Sequence, residues 1–202
     1  MADLVTLQHY KDFAGLQSLK NDARIGHIID QVSQLVKTYC GSTIIDYAST
    51  NKVEHFNIVQ GQDRVILGES PLITVVSVEE RTSQADAYVT LITENSDSSG
   101  KYEYIADMES DSIVRTTSTG NKPFARGMKA VKVTYRAGYT STPDDLKLAV
   151  FDLIKYYLKD ERKERMSIAG ATVENAVSSS LTGNIGFPDH IKRILDMYKI
   201  YS

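Results

Sequence analysis

The chain has 202 residues, of which 42% are apolar and 24% charged, and its formal net charge is −3. This length suits one domain with a sizeable core, and the composition excludes a fibrous or wholly disordered protein. The slight net acidity argues against a dedicated nucleic-acid binder, since such chains use a positive excess to bind phosphates. With one cysteine, Cys40, the chain has no internal disulfide and no cysteine-based zinc site.

Two helices are predicted within residues 1–50, which we assign to a helical core. Thr6 is a suitable N-cap for a short helix that ends near Gly15. A second helix is indicated by apolar residues at helical spacing and ends at Gly41. Its apolar positions are Ile25, Ile28, Ile29, Val32, Leu35, Val36 and Tyr39.

From residue 53 the apolar period changes to two, which predicts β-strands. Glu54, Phe56 and Ile58 share one face of the first strand. Clusters of Gly, Asn, Asp and Ser separate the later strands, so residues 51–139 are predicted to form an inserted antiparallel sheet block or small barrel. The further strands are predicted at 63–67, 73–79, 88–93, 101–105, 112–116 and 129–136.

A long core helix is predicted within residues 140–165, with Thr142 at its N-cap and Pro143 at its first position. Residues 166–187, here called the arm, are nearly uncharged and lack a regular period, which favours an extended segment. Residues 166–202 therefore comprise the arm and a short terminal helix. The predicted fold class is α+β, with a small helical bundle from both chain ends around the inserted sheet block.

No pattern of catalytic or metal-binding residues is visible. The four histidines lie far apart, and there is no nucleophile elbow or metal-ligand spacing. We therefore expect no enzyme activity, cofactor or metal. Two other classes stay open as alternatives, an enzyme with an unrecognised site and a DNA-binding module that uses the basic segment 115–136.

Charge is unevenly distributed in the sheet block, since residues 94–111 are mainly acidic and residues 112–143 are basic. One interpretation is cross-strand pairing within the sheet. The other is a head-to-tail contact between identical subunits that closes a ring. The candidate residues for that subunit contact are Glu103, Asp107, Glu109, Asp111, Lys129, Lys132 and Arg136.

Several phrases of the chain together resemble the head-tail connector adaptor family of tailed bacteriophages. Residues 5–11 and 28–41 are similar to its first two helices, and residues 187–198 are similar to its terminal helix. The more specific phrases are Leu67-Gly68-Glu69-Ser70-Pro71, which opens 67–78, and Val133-Thr134-Tyr135-Arg136-Ala137-Gly138-Tyr139, which is followed by Pro143-Asp144-Asp145-Leu146.

The resemblance implies a structural protein of the virion neck that is assembled in the host cytoplasm. It implies a ring of about twelve copies below the portal protein, with a stopper, neck or tail protein on its other side. Genomic DNA would pass through the lumen without specific binding. Another neck or tail structural protein, such as a stopper or tail terminator, is the alternative.

The arm and the terminal helix are the predicted portal-contact region, because an uncharged arm can become ordered when it binds a partner. The alternative is a linker that only tethers the last helix. No apolar run is long enough to cross a membrane and no signal peptide is visible, so we expect a cytosolic chain without a membrane partner. The predicted contact residues are Ile168, Val173, Val177, Leu181, Ile185, Phe187, Ile191, Ile194, Leu195 and Tyr198.

Overall fold

The computed structural model describes the chain except at residues 1, 94–101, 118, 160–164, 169–170, 175–186 and 201–202, and only the backbone of 165–168 and 171–174. The chain divides into two compact units. The helical unit comprises Met1–Ser42 and Ser141–Tyr201, and the sheet unit comprises Thr43–Thr140. This confirms the α+β class, with an antiparallel sheet block inserted between helices from the two chain ends.

The described residues form four helices and ten strands. In chain order they are α1 Leu7–Ala14, α2 Asp22–Cys40, β1 Lys52–Ile58, β2 Arg64–Ile66, β3 Leu72–Glu80, β4 Val89–Thr90, β5 Tyr104–Asp107, β6 Ser112–Thr117, β7 Gly120–Asn121, β8 Gly127–Ala137, α3 Asp144–Leu158, β9 Arg165–Ile168, β10 Ala171–Glu174 and α4 Asp189–Met197. Within this part of the chain, every helix is too short or too polar to span a membrane.

The start of α1 and the end of α2 follow local sequence signals. The Thr6 side chain accepts a hydrogen bond from the His9 amide at 3.2 Å, and Gly41 ends α2 in a left-handed conformation with φ 69°. The predicted positions of Thr142 at the N-cap and Pro143 at the first helical residue are both wrong by one residue, because α3 begins at Asp144 and Pro143 occupies the N-cap position without a side-chain cap hydrogen bond. The Thr142 hydroxyl donates to the Leu4 carbonyl at 2.6 Å, so this side chain joins the two ends of the chain within the helical unit.

The core of the helical unit is formed by the apolar faces of α2, α3 and α4. Phe151 of α3 adds aromatic contacts to α1, since its ring lies 6.0 Å from the Tyr10 ring and 4.7 Å from the Phe13 ring. The residues of this core that are almost inaccessible to solvent include Ile29, Val32, Val36, Leu146, Leu153, Ile154, Ile191 and Leu195.

The sheet unit contains two antiparallel four-stranded arrangements. The first has the strand order β1-β8-β3-β4, and the second has the order β2-β6-β5 with β7 paired to β6. Residues such as Val78, Ile113 and Val133 form their common core. The predicted strand at 88–93 is reduced to two residues, the one at 101–105 is displaced to Tyr104–Asp107, and β7 was not predicted.

Strands β9 and β10 form a separate antiparallel pair. Residues 166–168 and 171–174 of the predicted arm belong to this hairpin, a pairing that was not predicted from the sequence. The remainder of the arm, residues 175–186, lies outside the described residues.

Candidate partner-binding surfaces

A buried ionic cluster lies beneath the first sheet. Glu69 is only 3% exposed, and its Oε1 lies 3.1 Å from the Lys52 Nζ. Its Oε2 accepts a hydrogen bond from the Thr43 amide at 3.0 Å. Both oxygens of this buried carboxylate are therefore satisfied, which is required if a charge is to be kept out of water.

Glu54 completes the cluster. Its Oε1 lies 2.6 Å from the Lys52 Nζ, and its Oε2 accepts from the Gly68 amide at 3.0 Å. Burial lowers the pKa of Lys52, but the hydrogen bonds and charges of Glu54 and Glu69 outweigh burial and raise this pKa. Burial and the adjacent Glu54 charge raise the pKa of Tyr135. The contacts among Lys52, Glu54 and Glu69 tie β1 to the segment that precedes β3.

A close backbone approach explains the glycine in the phrase over residues 133–139. Gly138 has φ 96°, and its amide donates to the Pro71 carbonyl at 2.8 Å. A Cβ at Gly138 would overlap the carbonyl oxygen of Ile44, which accepts from the Tyr139 amide at 2.8 Å. The two specific sequence phrases therefore meet at this junction of the sheet unit.

Arg115 is the centre of a second buried network. It is 3% exposed, and its guanidinium donates to the Glu103 carbonyl oxygen at 2.6 Å. The same group lies 3.3 Å from the Glu80 carboxylate and 3.4 Å from the Glu103 carboxylate. A DNA phosphate cannot reach this arginine, which weakens the DNA-binding alternative for the segment 115–136.

Several predicted subunit-contact residues have partners within the chain. The Lys132 Nζ lies 2.6 Å from the Glu79 carboxylate, and Arg64 lies 3.4 Å from Asp107. Asp111 accepts from a backbone amide, and Glu103 is paired as described above. Glu103, Asp107 and Lys132 therefore have ion pairs within the chain, and Asp111 has a hydrogen bond. Glu109, Lys129 and Arg136 form no ion pair among the described residues, and the subunit contact stays a prediction.

The outer face of the first sheet carries a cationic and aromatic patch that was not predicted. The Tyr88 ring lies 4.8 Å from the Arg81 Cζ, 5.1 Å from the Lys132 Nζ and 6.1 Å from the His55 ring. The strand register places His55 opposite Lys132. The alternation of inner and outer residues along β1 is a signal that could have predicted His55 on this face. The position of Tyr88 depends on tertiary folding and leaves no such signal.

The helical unit has an open groove of about 750 Å³ beside α2. Its lining combines apolar side chains with a polar, partly cationic rim. The lining residues are Arg24, His27, Ile28, Gln31, Val32, Leu35 and Tyr157. The predicted stripe along α2 contained three of these apolar positions, but it could not show that the described residues leave one side of the stripe uncovered.

The predicted portal-contact residues fall into three groups. Phe187, Ile191 and Leu195 are at most 2% exposed and lie in the core of the helical unit. Ile194 and Tyr198 are half-buried, and the Tyr198 hydroxyl donates to Asp145 at 2.6 Å. Of the arm residues, Ile168 lies in β9 and Val173 in β10, while Val177, Leu181 and Ile185 lie outside the described residues.

The described residues contain no group of three or more histidine, cysteine or acidic side chains placed to hold a metal ion. Their close charged pairs are contacts within and between the strands and helices. What this part of the molecule presents to its surroundings is a groove, a cationic patch and strand edges. Such features are suited to contacts with other polypeptides.

Solved structures of gene transfer agent (GTA) particles contain chains of similar fold. A chain from the neck of an empty GTA particle, computed with C6 symmetry, aligns with a TM-score of 0.57 and 15% identity over 98% of this chain and 91% of that chain. A chain from the neck of a native GTA particle, computed with C12 symmetry, aligns with a TM-score of 0.56 and 13% identity, over 100% of this chain and 95% of that chain. A chain from the virion of a native GTA particle aligns with a TM-score of 0.56 and 14% identity, over 98% of this chain and 91% of that chain.

The fold is thus one found in a structural component of a particle neck. No curated protein matches the chain. The model of the family described as head completion protein matches residues 3–201, and the chain belongs to that family. It is a structural protein of the head-tail connector, or neck, as the resemblance predicted.

Proposed function

We propose that the protein is an adaptor that forms a ring under the portal and joins the filled head to the neck or tail. The observation that carries this proposal is the family match across residues 3–201. The C6 and C12 symmetries used for necks that contain similar chains support a ring. A ring of about twelve copies would use one heterologous contact repeated around a closed axis.

The proposed mechanism is assembly and requires no reaction. The arm residues Val177, Leu181 and Ile185 would bind the portal, because apolar side chains on a nearly uncharged segment lose water when they enter a groove. Ile194 and Tyr198 of the terminal helix would extend this contact. A stopper, neck or tail protein would bind the opposite side of the ring.

Net charge supports passage of DNA through the ring. Each copy carries a formal charge of −3, so a closed ring of identical copies is strongly acidic. A negative lumen repels DNA phosphates and weakens non-specific binding. The burial of Arg115 and the pairing of Lys132 reduce the positive charge that the sheet unit can offer to DNA.

Portal binding tests the proposal. The variant Val177→Ser, Leu181→Ser, Ile185→Ser should lose co-sedimentation with the purified portal ring while keeping the wild-type far-UV circular dichroism. Truncation at residue 166 is a weaker test, because it also removes Ile191 and Leu195 from the core. Val59→Ser is the control, since Val59 is 68% exposed and lies in the sheet unit.

Wild-type protein that fails to bind the portal under any assembly condition would overturn the adaptor proposal. Binding to tail proteins without binding to the portal would favour a stopper or tail terminator. Assembly in the host cytoplasm would be seen as recruitment of the protein to portal-bearing particles before cell lysis.

A further inference from the structure

The β9–β10 hairpin is an incomplete structural element. It consists of two four-residue strands, and the described residues supply no third strand to it. A two-stranded hairpin alone is marginally stable in water, and a third strand or a packing surface is usually needed. Its stability therefore depends on a further contact.

The register gives the hairpin two different faces. Met166 is opposite Val173, and Ile168 is opposite Ala171, so these four positions share one face of the pair. Arg165, Ser167, Thr172 and Glu174 occupy the other face. An apolar face next to two open strand edges is the pattern of an element that adds to a larger sheet.

Strand β1 offers such an edge on the sheet unit. It is the outer strand of the order β1-β8-β3-β4, and its far side pairs with no strand among the described residues. Lysines often protect such edges, but Lys52 is held in the buried cluster with Glu54 and Glu69. The edge is regular from Lys52 to Phe56, before the irregularity that precedes Ile58.

The inner face of β1 carries Phe56 beside the paired Lys52 and Glu54, and its outer face carries Val53, His55 and Asn57. Phe56 lies on the inner face and is only half-buried, although it packs against the core of the sheet unit. His55 and Asn57 lie on the outer face and are exposed. An added strand with its apolar face inward would cover Phe56 and would keep its polar face beside His55.

We propose that the β9–β10 hairpin of one copy adds to the free edge of β1 in a second copy. This inference rests on the proposed ring and identifies one of its subunit contacts. It assigns Ile168 and Val173 to a neighbouring copy and leaves portal binding to residues after Glu174. The hairpin edge and the β1 edge are different surfaces, so the contact is heterologous and can be repeated around a ring.

The segments that connect the hairpin to α3 and to Phe187 are long enough for this contact with a second copy. Six residues lie between the end of α3 and the start of β9, enough to span about 20 Å when extended. Twelve residues, 175–186, lie between β10 and Phe187, enough for about 40 Å. A four-residue strand also fits within the regular part of β1.

Cross-linking between two differently tagged chains tests the contact. One chain carries His55→Cys and the other Ser167→Cys, both with Cys40→Ala, and a short bis-maleimide is added to the mixed protein at high concentration and again on the portal ring. The matched control replaces His55→Cys with Val89→Cys, on β4 at the opposite edge of the same sheet and 65% exposed. Because added strands lie about 5 Å apart, coupling from residue 167 to residue 55 should be at least about tenfold faster than to residue 89.

Equal coupling to the two edges, or no coupling to residue 55 in either sample, overturns the inference. A second variant, Ser167→Pro with Thr172→Pro, removes two hairpin N–H donors and should weaken self-association while leaving the helical content unchanged. Unchanged self-association would also overturn it. Portal co-sedimentation is measured on the cross-linking samples as well. Portal binding without selective coupling to residue 55 would refute this inference and leave the adaptor proposal standing.

Discussion

Glu79 of β3 faces Lys132 of β8 across the first sheet, and its carboxylate lies 2.6 Å from the lysine Nζ. The residues are direct register partners, so the pair links the end of β3 to the middle of β8. Lys132 also lies 5.1 Å from the Tyr88 ring. Lys132, which was a candidate for the subunit contact, therefore forms an ion pair within its own chain.

Reversing the charge at Lys132 should destabilise the sheet unit modestly. Lys132→Glu places two carboxylates opposite each other, and the expected loss is about 1 kcal/mol in the free energy of unfolding. Urea denaturation measures this loss. The double variant Glu79→Lys, Lys132→Glu restores the attraction and should recover most of the stability. A single variant with wild-type stability but weaker self-association would instead indicate a subunit contact.

Gly138→Ala should be among the most destabilising single changes in the sheet unit. The residue has φ 96°, and an added Cβ would overlap the Ile44 carbonyl oxygen, which belongs to the backbone and cannot rotate away. We expect a loss of at least about 2 kcal/mol, measured by urea denaturation.

Gly26→Ala is the matched control for this glycine. Gly26 lies within α2 at a position where an added Cβ meets no atom within 4 Å. This change should stabilise the protein by about 0.5–1 kcal/mol, because alanine favours the helix more than glycine does. Equal effects of the two substitutions would contradict the close approach at Gly138.

The spacing of apolar residues along the sequence was sufficient to predict helices and strands that bury one face. The stripe from Ile25 to Tyr39 predicted α2, and the alternation of Glu54, Phe56 and Ile58 predicted β1 with the correct inner face. Thr142 is different, because its hydroxyl binds a carbonyl 138 residues away. A tertiary hydrogen bond of this kind leaves no local sequence signal.

The candidate surfaces were less predictable than the fold. Lys52, Glu54 and Glu69 form one cluster only after β1 and the segment between β2 and β3 come together, and each residue alone resembles an ordinary surface charge. The apolar pattern of the terminal helix was visible. It could not show whether Leu195 faces a portal or the core of its own unit, since both surfaces require the same amphipathic spacing.

Leu195→Ala should destabilise the helical unit by about 2–5 kcal/mol, since Leu195 is fully buried and its truncation leaves a cavity. Met197→Ala is the matched control on the same helix. Met197 is 75% exposed, and its truncation should change stability by less than about 0.5 kcal/mol. Thermal and urea unfolding compare the two. Similar small effects would show that α4 does not pack in the isolated chain.

The contribution of Lys52 to stability should decrease at high pH. Its pKa is raised in the folded protein from the usual 10.5, so protonated Lys52 is favoured by folding. The stabilisation is complete below the pKa of the unfolded chain and is lost as the pH rises through the folded value. The stability difference between wild type and Lys52→Met should therefore shrink above about pH 10.5. Urea unfolding from pH 7 to 11.5 measures it, and a difference that grows with pH would contradict the cluster.

Cys40 should be almost unreactive in the folded protein. Its side chain is fully buried, and burial, with a further contribution from the charge of Asp196, raises the pKa of the thiol to about 11. At pH 8 the thiolate is then scarce, and labelling by a maleimide should be at least about 100-fold slower than in urea-unfolded chain. The Cys40 sulfur also lies 3.7 Å from the Leu195 carbonyl oxygen. Leu195→Ala should therefore accelerate labelling, whereas Met197→Ala should not, and rapid labelling of the wild type would show that α4 leaves the thiol uncovered.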